Sequence, residues 1–174
     1  MRPYNVGAVH ILLATDADWI VDEVTAALGG PDTSFTVCRE GRLVSKLVGE
    51  RAPDLAVLDL QVGSMGGMAI AMALRLDESG GLLPHVRVLM LLDRVADVYL
   101  AQRSSADGWL IKPLDALRLK RAALALVSGE IFQEGVPRPM PVTPTVPIEA
   151  DGAATAAKEP AEEEPAEEEP APAG

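Results

Sequence analysis

Short apolar runs alternate along residues 8–130 with segments whose apolar positions recur every three or four residues. Val9–Ala14 is a largely apolar run of strand length. Asp18 then opens a helix to Leu28, with Ile20, Val21, Val24 and Leu28 on one face. Asp18 reads as the cap of that helix, Asp22 and Glu23 sit in its first turn, and Gly29-Gly30-Pro31 stops it. Ser34–Arg39 reads as a second strand, and Gly41–Arg51 as a helix with Leu43, Val44, Leu47 and Val48 inward. Leu55–Leu58 is a third apolar run and ends at Asp59. The loop Gly63-Ser64-Met65-Gly66-Gly67 leads into a helix over Met68–Leu76. A strand at Val86–Leu91, a short helix at Ala96–Arg103, a strand at Trp109–Ile111 and a helix at Leu114–Val127 complete the series. Five strand–helix units in succession predict a parallel sheet with helices on both faces. Right-handed crossovers restrict its topology further.

The pattern stops near residue 131. From Ile131 to Gly174 prolines are frequent and apolar periodicity is lost, and PAEEE occurs twice, at Pro160–Glu164 and Pro165–Glu169. Such a segment has too little apolar surface to offset the entropy of ordering it, so residues 131–174 are expected to be a disordered Pro/Ala/Glu-rich acidic tail. Within it, 137–147 is expected to be extended and polyproline-like. The domain is then residues 8–130.

Charge sharpens this division. Of the net −11, residues 149–174 carry nine acids and one lysine, hence −8, which leaves −3 on residues 1–148. Neither part has the basic patch of a nucleic-acid binder. The tail reads either as a solubilising extension or as an acidic docking segment for a basic partner. Cys38 is the single cysteine, which excludes a disulfide framework and a Cys-x-x-Cys metal pair. The N-terminus MRPYNVGAVH lacks the charged-then-apolar order of a secretory signal. No apolar stretch approaches the roughly 20 residues that span a bilayer, so the expected location is the cytoplasm. Arginine outnumbers lysine eleven to four, a bias in keeping with a GC-rich bacterial genome.

In a doubly wound sheet the functional groups collect beyond the carboxyl ends of the strands. The first strand delivers Thr15, Asp16 and Asp18 there, the third Asp59, the fourth Leu92 and Asp93, and the fifth Lys112 followed by Pro113. Clustered carboxylates call for a hard divalent cation with oxygen ligands, which Mg²⁺ satisfies. A nearby lysine is a point charge suited to a phosphoryl group. A carboxylate at a strand end can attack phosphorus to give an acyl phosphate.

At these residues the chain resembles the receiver domain of two-component response regulators, over about residues 8–128. PDLAVLDL, Pro53–Leu60, resembles the family's phosphoacceptor strand, which puts Asp59 at the phosphorylated aspartate. SSADGWLIKP, Ser104–Pro113, resembles the segment that carries the family's lysine, here Lys112, and its aromatic switch, here Trp109. The resemblance implies a flavodoxin-like, five-stranded parallel sheet of order 2-1-3-4-5 with five helices. It implies a metal site of Asp16, Asp59 and the Gln61 backbone carbonyl holding Mg²⁺, with Lys112 on the phosphoryl oxygens. It implies a histidine kinase or phosphotransfer protein as donor and a downstream protein target. Signalling would pass through the face of the fourth helix, fifth strand and fifth helix. The expected role is phosphoacceptor rather than enzyme, with self-catalysed phosphorylation and dephosphorylation, and no DNA-binding or enzyme domain is expected after residue 130.

Two positions depart from the family. Thr15 stands where the first of two adjacent acids is usual, which removes a charge from the metal pocket; Asp18 is the candidate to compensate, against its reading as a helix cap. Leu92 stands where a threonine or serine usually donates to the phosphoryl group, and leucine cannot donate. Two other function classes follow. One is a degenerate receiver that binds partners without regulated phosphorylation. The other is a small phosphatase-like enzyme, because Asp16-Ala17-Asp18-Trp19-Ile20 is similar to the strand-end motif of haloacid-dehalogenase-type phosphatases.

Overall fold

Side chains alternate between the two faces of a strand, and that alternation sorts the core into two layers. In the computed structural model, which describes residues 8–135, Ile11 and Leu13 of β1 (Val9–Ala14) enter one layer, and Leu12 and Ala14 the other. The first layer also holds Leu55 and Val57 of β3 (Leu55–Asp59) and Leu89 and Leu91 of β4 (Val88–Leu92). It is covered by α1 (Asp18–Leu28), through Ile20, Val24 and Ala27, and by α5 (Ala116–Val127), through Leu119, Ala122 and Leu126. The second layer holds Leu58, Met90, Leu92 and Trp109. It is covered by α2 (Val44–Glu50), α3 (Gly67–Ser79) and α4 (Val98–Arg103), through Val48, Ile70, Leu74 and Ala101 among others. A fully buried leucine or isoleucine contributes about 1.5–3 kcal/mol, and both layers are lined by such residues.

With β2 (Thr33–Cys38), β5 (Gly108–Ile111) and β6 (Phe132–Gln133), the sheet runs in the order β2-β1-β3-β4-β5-β6. Every pairing is parallel. The expected order 2-1-3-4-5 and five helices are present, and a sixth strand joins them. That strand falls in Ile131–Gly135, which sequence pattern assigned to the tail. Gly108 pairs with Phe132 and Trp109 with Gln133. A Cβ on Gly108 would lie 2.6 Å from the Phe132 carbonyl oxygen, so the close approach of β6 requires glycine there. Residues 136–174, the rest of the expected tail, lie outside the described residues.

Two helix starts differ from expectation. α1 begins where predicted, but Ala17 is its N-cap residue and no side chain caps it. The Thr15 hydroxyl takes the Ala17 N–H at 3.2 Å instead, and Asp18 turns outward to Arg39 at 2.5 Å with 82% of its side chain exposed. The helix over Gly41–Arg51 begins as a 3-10 turn, Gly41–Leu43, which leaves Leu43 exposed rather than inward. α5 has a regular cap, as Asp115 Oδ1 accepts from the N–H groups of Leu117 and Arg118, each at 3.0 Å. No described helix is long and apolar enough to cross a membrane.

Candidate functional site

The carboxyl ends of β1, β3, β4 and β5 bring Thr15, Asp59, Asp93 and Lys112 into one hydrogen-bonded group. Asp59 closes β3, where a parallel sheet buried on both faces leaves a polar side chain only the strand end as an outlet. It is 2% exposed. Its Oδ1 accepts from Lys112 Nζ at 2.7 Å and from the Gln61 backbone N–H at 3.3 Å. Its Oδ2 accepts from the Thr15 hydroxyl at 2.9 Å. Thr15 is fully buried, so the residue that replaces an acid here also satisfies the phosphoacceptor candidate.

Lys112 follows β5, and its backbone N–H bonds to the Leu92 carbonyl at 2.8 Å, which extends the β4–β5 pairing to the site. A cis peptide joins it to Pro113. Its ammonium also reaches Asp93 Oδ1 at 2.8 Å and lies 5.6 Å from the centre of the Trp19 ring. Burial pulls the Lys112 pKa down. The hydrogen bonds and charges of Asp59 and Asp93 together outweigh burial and hold it above the ordinary lysine value. Lys112 is therefore a fixed cation at neutral pH.

Asp16 is exposed at the rim, with Oδ2 taking the Gly63 N–H at 3.1 Å. Asp18 is held by Arg39 instead of turning inward, so it does not make good the acid missing at Thr15. Of the two acids in the phosphatase-like motif, Asp16 thus bonds to the Gly63 N–H and Asp18 to Arg39. Among the described residues, no group of three or more His, Cys, Asp or Glu side chains is placed to hold a metal. The donor set expected for Mg²⁺ has two carboxylates, Asp16 and Asp59, and the Gln61 carbonyl. All are hard oxygen donors, and Mg²⁺ keeps several waters when few protein ligands are offered. Asp16, Asp59 and Asp93 against Lys112 leave two negative charges, which a divalent cation balances. The residues fit such an ion, with one acid fewer than an all-carboxylate triad.

The two remaining expected positions lie beneath this rim. Leu92 is fully buried, in the same apolar layer as Trp109. Trp109 is 1% exposed, and its indole N–H donates to the Glu134 carbonyl at 2.7 Å. The Glu134 carboxylate accepts from the Ile111 N–H at 2.7 Å and pairs with Arg118. Arg118 also donates to the Pro113 and Ile111 carbonyls, so it ties α5 to β5. Sequence pattern missed Glu134, because it follows the loss of periodicity. It counted Asp93 among the rim acids without a role; the signal was its place directly after a buried strand.

No family model matches the chain. An uncharacterized response regulatory protein of Mycobacterium tuberculosis is 31% identical over 131 residues, covering 72% of this chain and 96% of that protein. The DNA-binding response regulator MtrA of the same organism is 32% identical over 104 residues, covering 60% of this chain and 44% of MtrA. The signal receiver domain of the putative response regulator NarL from M. tuberculosis superposes with a TM-score of 0.61 at 27% identity, over 71% of this chain and 99% of that domain. Sheet order, rim residues and these similarities agree: the chain belongs to the response regulators of two-component signalling and contains their receiver domain.

Proposed function

We propose that Asp59 accepts a phosphoryl group from a phosphohistidine of a histidine kinase or phosphotransfer protein, or from a small phosphodonor. The observation that carries this reading is Lys112 Nζ at 2.7 Å from Asp59 Oδ1 at the strand-end pole. An Asp59 oxygen bonds to phosphorus as the donor's P–N bond breaks, and the leaving imidazole nitrogen keeps the electron pair. Lys112 stands ready to meet the phosphoryl oxygens, and the Gln61 N–H and Thr15 hydroxyl hold the carboxylate in place. Asp16, Asp59 and the Gln61 carbonyl would hold Mg²⁺, which supplies charge neutralisation between carboxylate and phosphoryl group. The domain acts as a self-catalysing phosphoacceptor rather than as an enzyme on other substrates.

Output passes by protein contact to a downstream target. The M. tuberculosis relative that this chain spans to 96% is named a response regulatory protein, which supports the receiver reading. A second reading, a binding module without regulated phosphorylation, is favoured by Leu92, which gives the phosphoryl group no hydroxyl. Mass spectrometry after incubation with Mg²⁺ and acetyl phosphate separates the two. The mass of one phosphoryl group is gained by the native chain and not by Asp59→Asn. A native chain that gains nothing supports the second reading.

A further inference from the structure

Lys112 does not serve Asp59 alone. Its ammonium donates at 2.7 Å to Asp59 Oδ1 and at 2.8 Å to Asp93 Oδ1. Those two oxygens are therefore at most about 5.5 Å apart, the sum of the two contacts. The other Asp93 oxygen is buried and has no hydrogen-bond partner among the described residues. Arg94, the next residue, pairs with Asp97. Two carboxylates thus draw on one cation at the point where phosphorus would arrive. Phosphorylated Asp59 would carry about −1.5 to −2 charges in place of the carboxylate's single one, with three strong acceptor oxygens. Lys112 neutralises one charge, so a phosphoryl group on Asp59 must compete with Asp93 for it.

We infer that Asp93 is a positioning residue that retains part of Lys112 and so weakens the site's hold on a phosphoryl group. The inference rests on Asp59 being the phosphoacceptor. Leu92 contributes to the same result, since it withholds a donor while its neighbour adds a like charge. The consequence is a receiver whose phosphorylated form is sparsely held unless donor supply is high.

The test is an equilibrium titration of the full chain with beryllofluoride in the presence of Mg²⁺. It is followed by Trp19 fluorescence and by amide shifts at Lys112. A like charge at about 4–6 Å commonly moves an ionisation equilibrium by one unit or more, a factor of about ten. Asp93→Asn, which keeps the shape and removes the charge, should therefore bind the mimic about tenfold more tightly than the native chain. Asp93→Glu restores the charge and should return the affinity towards the native value. A role in stability alone would shift the melting temperature of Asp93→Asn without changing its affinity for the mimic. Equal affinities for native and Asp93→Asn, with saturable binding lost in Asp59→Asn, overturn the inference and leave the phosphoacceptor reading intact. Weaker binding by Asp93→Asn also overturns it, because Asp93 would then be presenting Lys112 to the phosphoryl group. If both folded proteins fail to bind, the phosphoacceptor reading fails and takes the inference with it.

Discussion

Ending the chain at Glu130 instead of Gly135 removes β6 and Glu134, and the loss can be worked out contact by contact. Trp109 loses the acceptor of its indole N–H and Ile111 the acceptor of its backbone N–H. A buried donor left unpaired costs about 1–3 kcal/mol. Truncation also admits water to this side of β5, so the lower end applies to each. The Arg118–Glu134 pair, about a third exposed on both sides, adds no more than about 1 kcal/mol. The total is about 3 kcal/mol, against the 5–15 kcal/mol that typically holds a domain. At roughly 3 °C per kcal/mol for a domain of this size, the shorter chain should melt about 10 °C lower. Calorimetry on chains ending at Glu130 and Gly135, beside the full chain, measures this. Glu134→Ala in the full chain keeps the carbonyl that Trp109 uses but loses the Ile111 acceptor and the Arg118 pair, and should lose about two thirds as much. Equal melting temperatures for the Glu130 and Gly135 chains would refute the reasoning. They would mean that β6 contributes nothing to the fold and that Trp109 is held by packing alone.

Four further outcomes follow from the site and the core. Leu92→Thr removes buried volume and buries a hydroxyl, for a loss of about 2–3 kcal/mol in urea denaturation. It should also enlarge the amide shift that beryllofluoride induces at Trp109, and an unchanged shift would show that the response does not run through a hydroxyl. Lys112→Ala should abolish the response to the mimic in the same shift maps and lower stability, since Asp59 and Asp93 then face each other without a cation. Mg²⁺ should cause a saturable change in Trp19 fluorescence that is lost in Asp16→Asn and Asp59→Asn; persistence in both variants would remove those carboxylates from the ligand set. His10 has its pKa lowered, first by burial and then by the Arg51 charge, so the folded state resists the proton that the unfolded state accepts. Stability should therefore be complete above about pH 6.5 and decline as pH falls below it. Urea midpoints compared between native and His10→Gln should show a flatter pH dependence in the variant.

The succession of strands and helices and the polar rim were legible because they rest on local pattern, whereas the order of strands in the sheet was legible only through the resemblance to receiver domains. β1 and α1 fall at their predicted limits, since an apolar run and Gly29-Gly30-Pro31 leave little freedom. β4 begins two residues later than its apolar run, at Val88, because its first pairing is set by Ala56 on β3 and not by its own composition. Asp59, Lys112 and Asp16 were identifiable as strand-end residues. What they touch was not: Thr15 reads as a lost charge in sequence, and only the fold shows its hydroxyl on Asp59. Asp18 suits a helix cap, but Arg39, 21 residues away, draws it outward. β6 left no local trace, as two residues in a proline-bearing segment have no periodicity. Its strand character comes wholly from the partner that Gly108 admits.

β6 also changes how this sheet can meet other sheets. An open strand border presents unpaired N–H and C=O groups, a template for pairing with a foreign strand. On the far side, β5 is flanked by the chain's own Phe132–Gln133, and a two-residue strand offers almost no template. Among the described residues, that leaves β2 as the one long border. There, Arg39 and Arg51 place charge at either end of Thr33–Cys38, and Arg51 bonds to Ser34. Strand-by-strand assembly of this protein would have to start at β2, against those two arginines. Losing five residues after Glu130 would open a second route along β5, with Trp109 beside it.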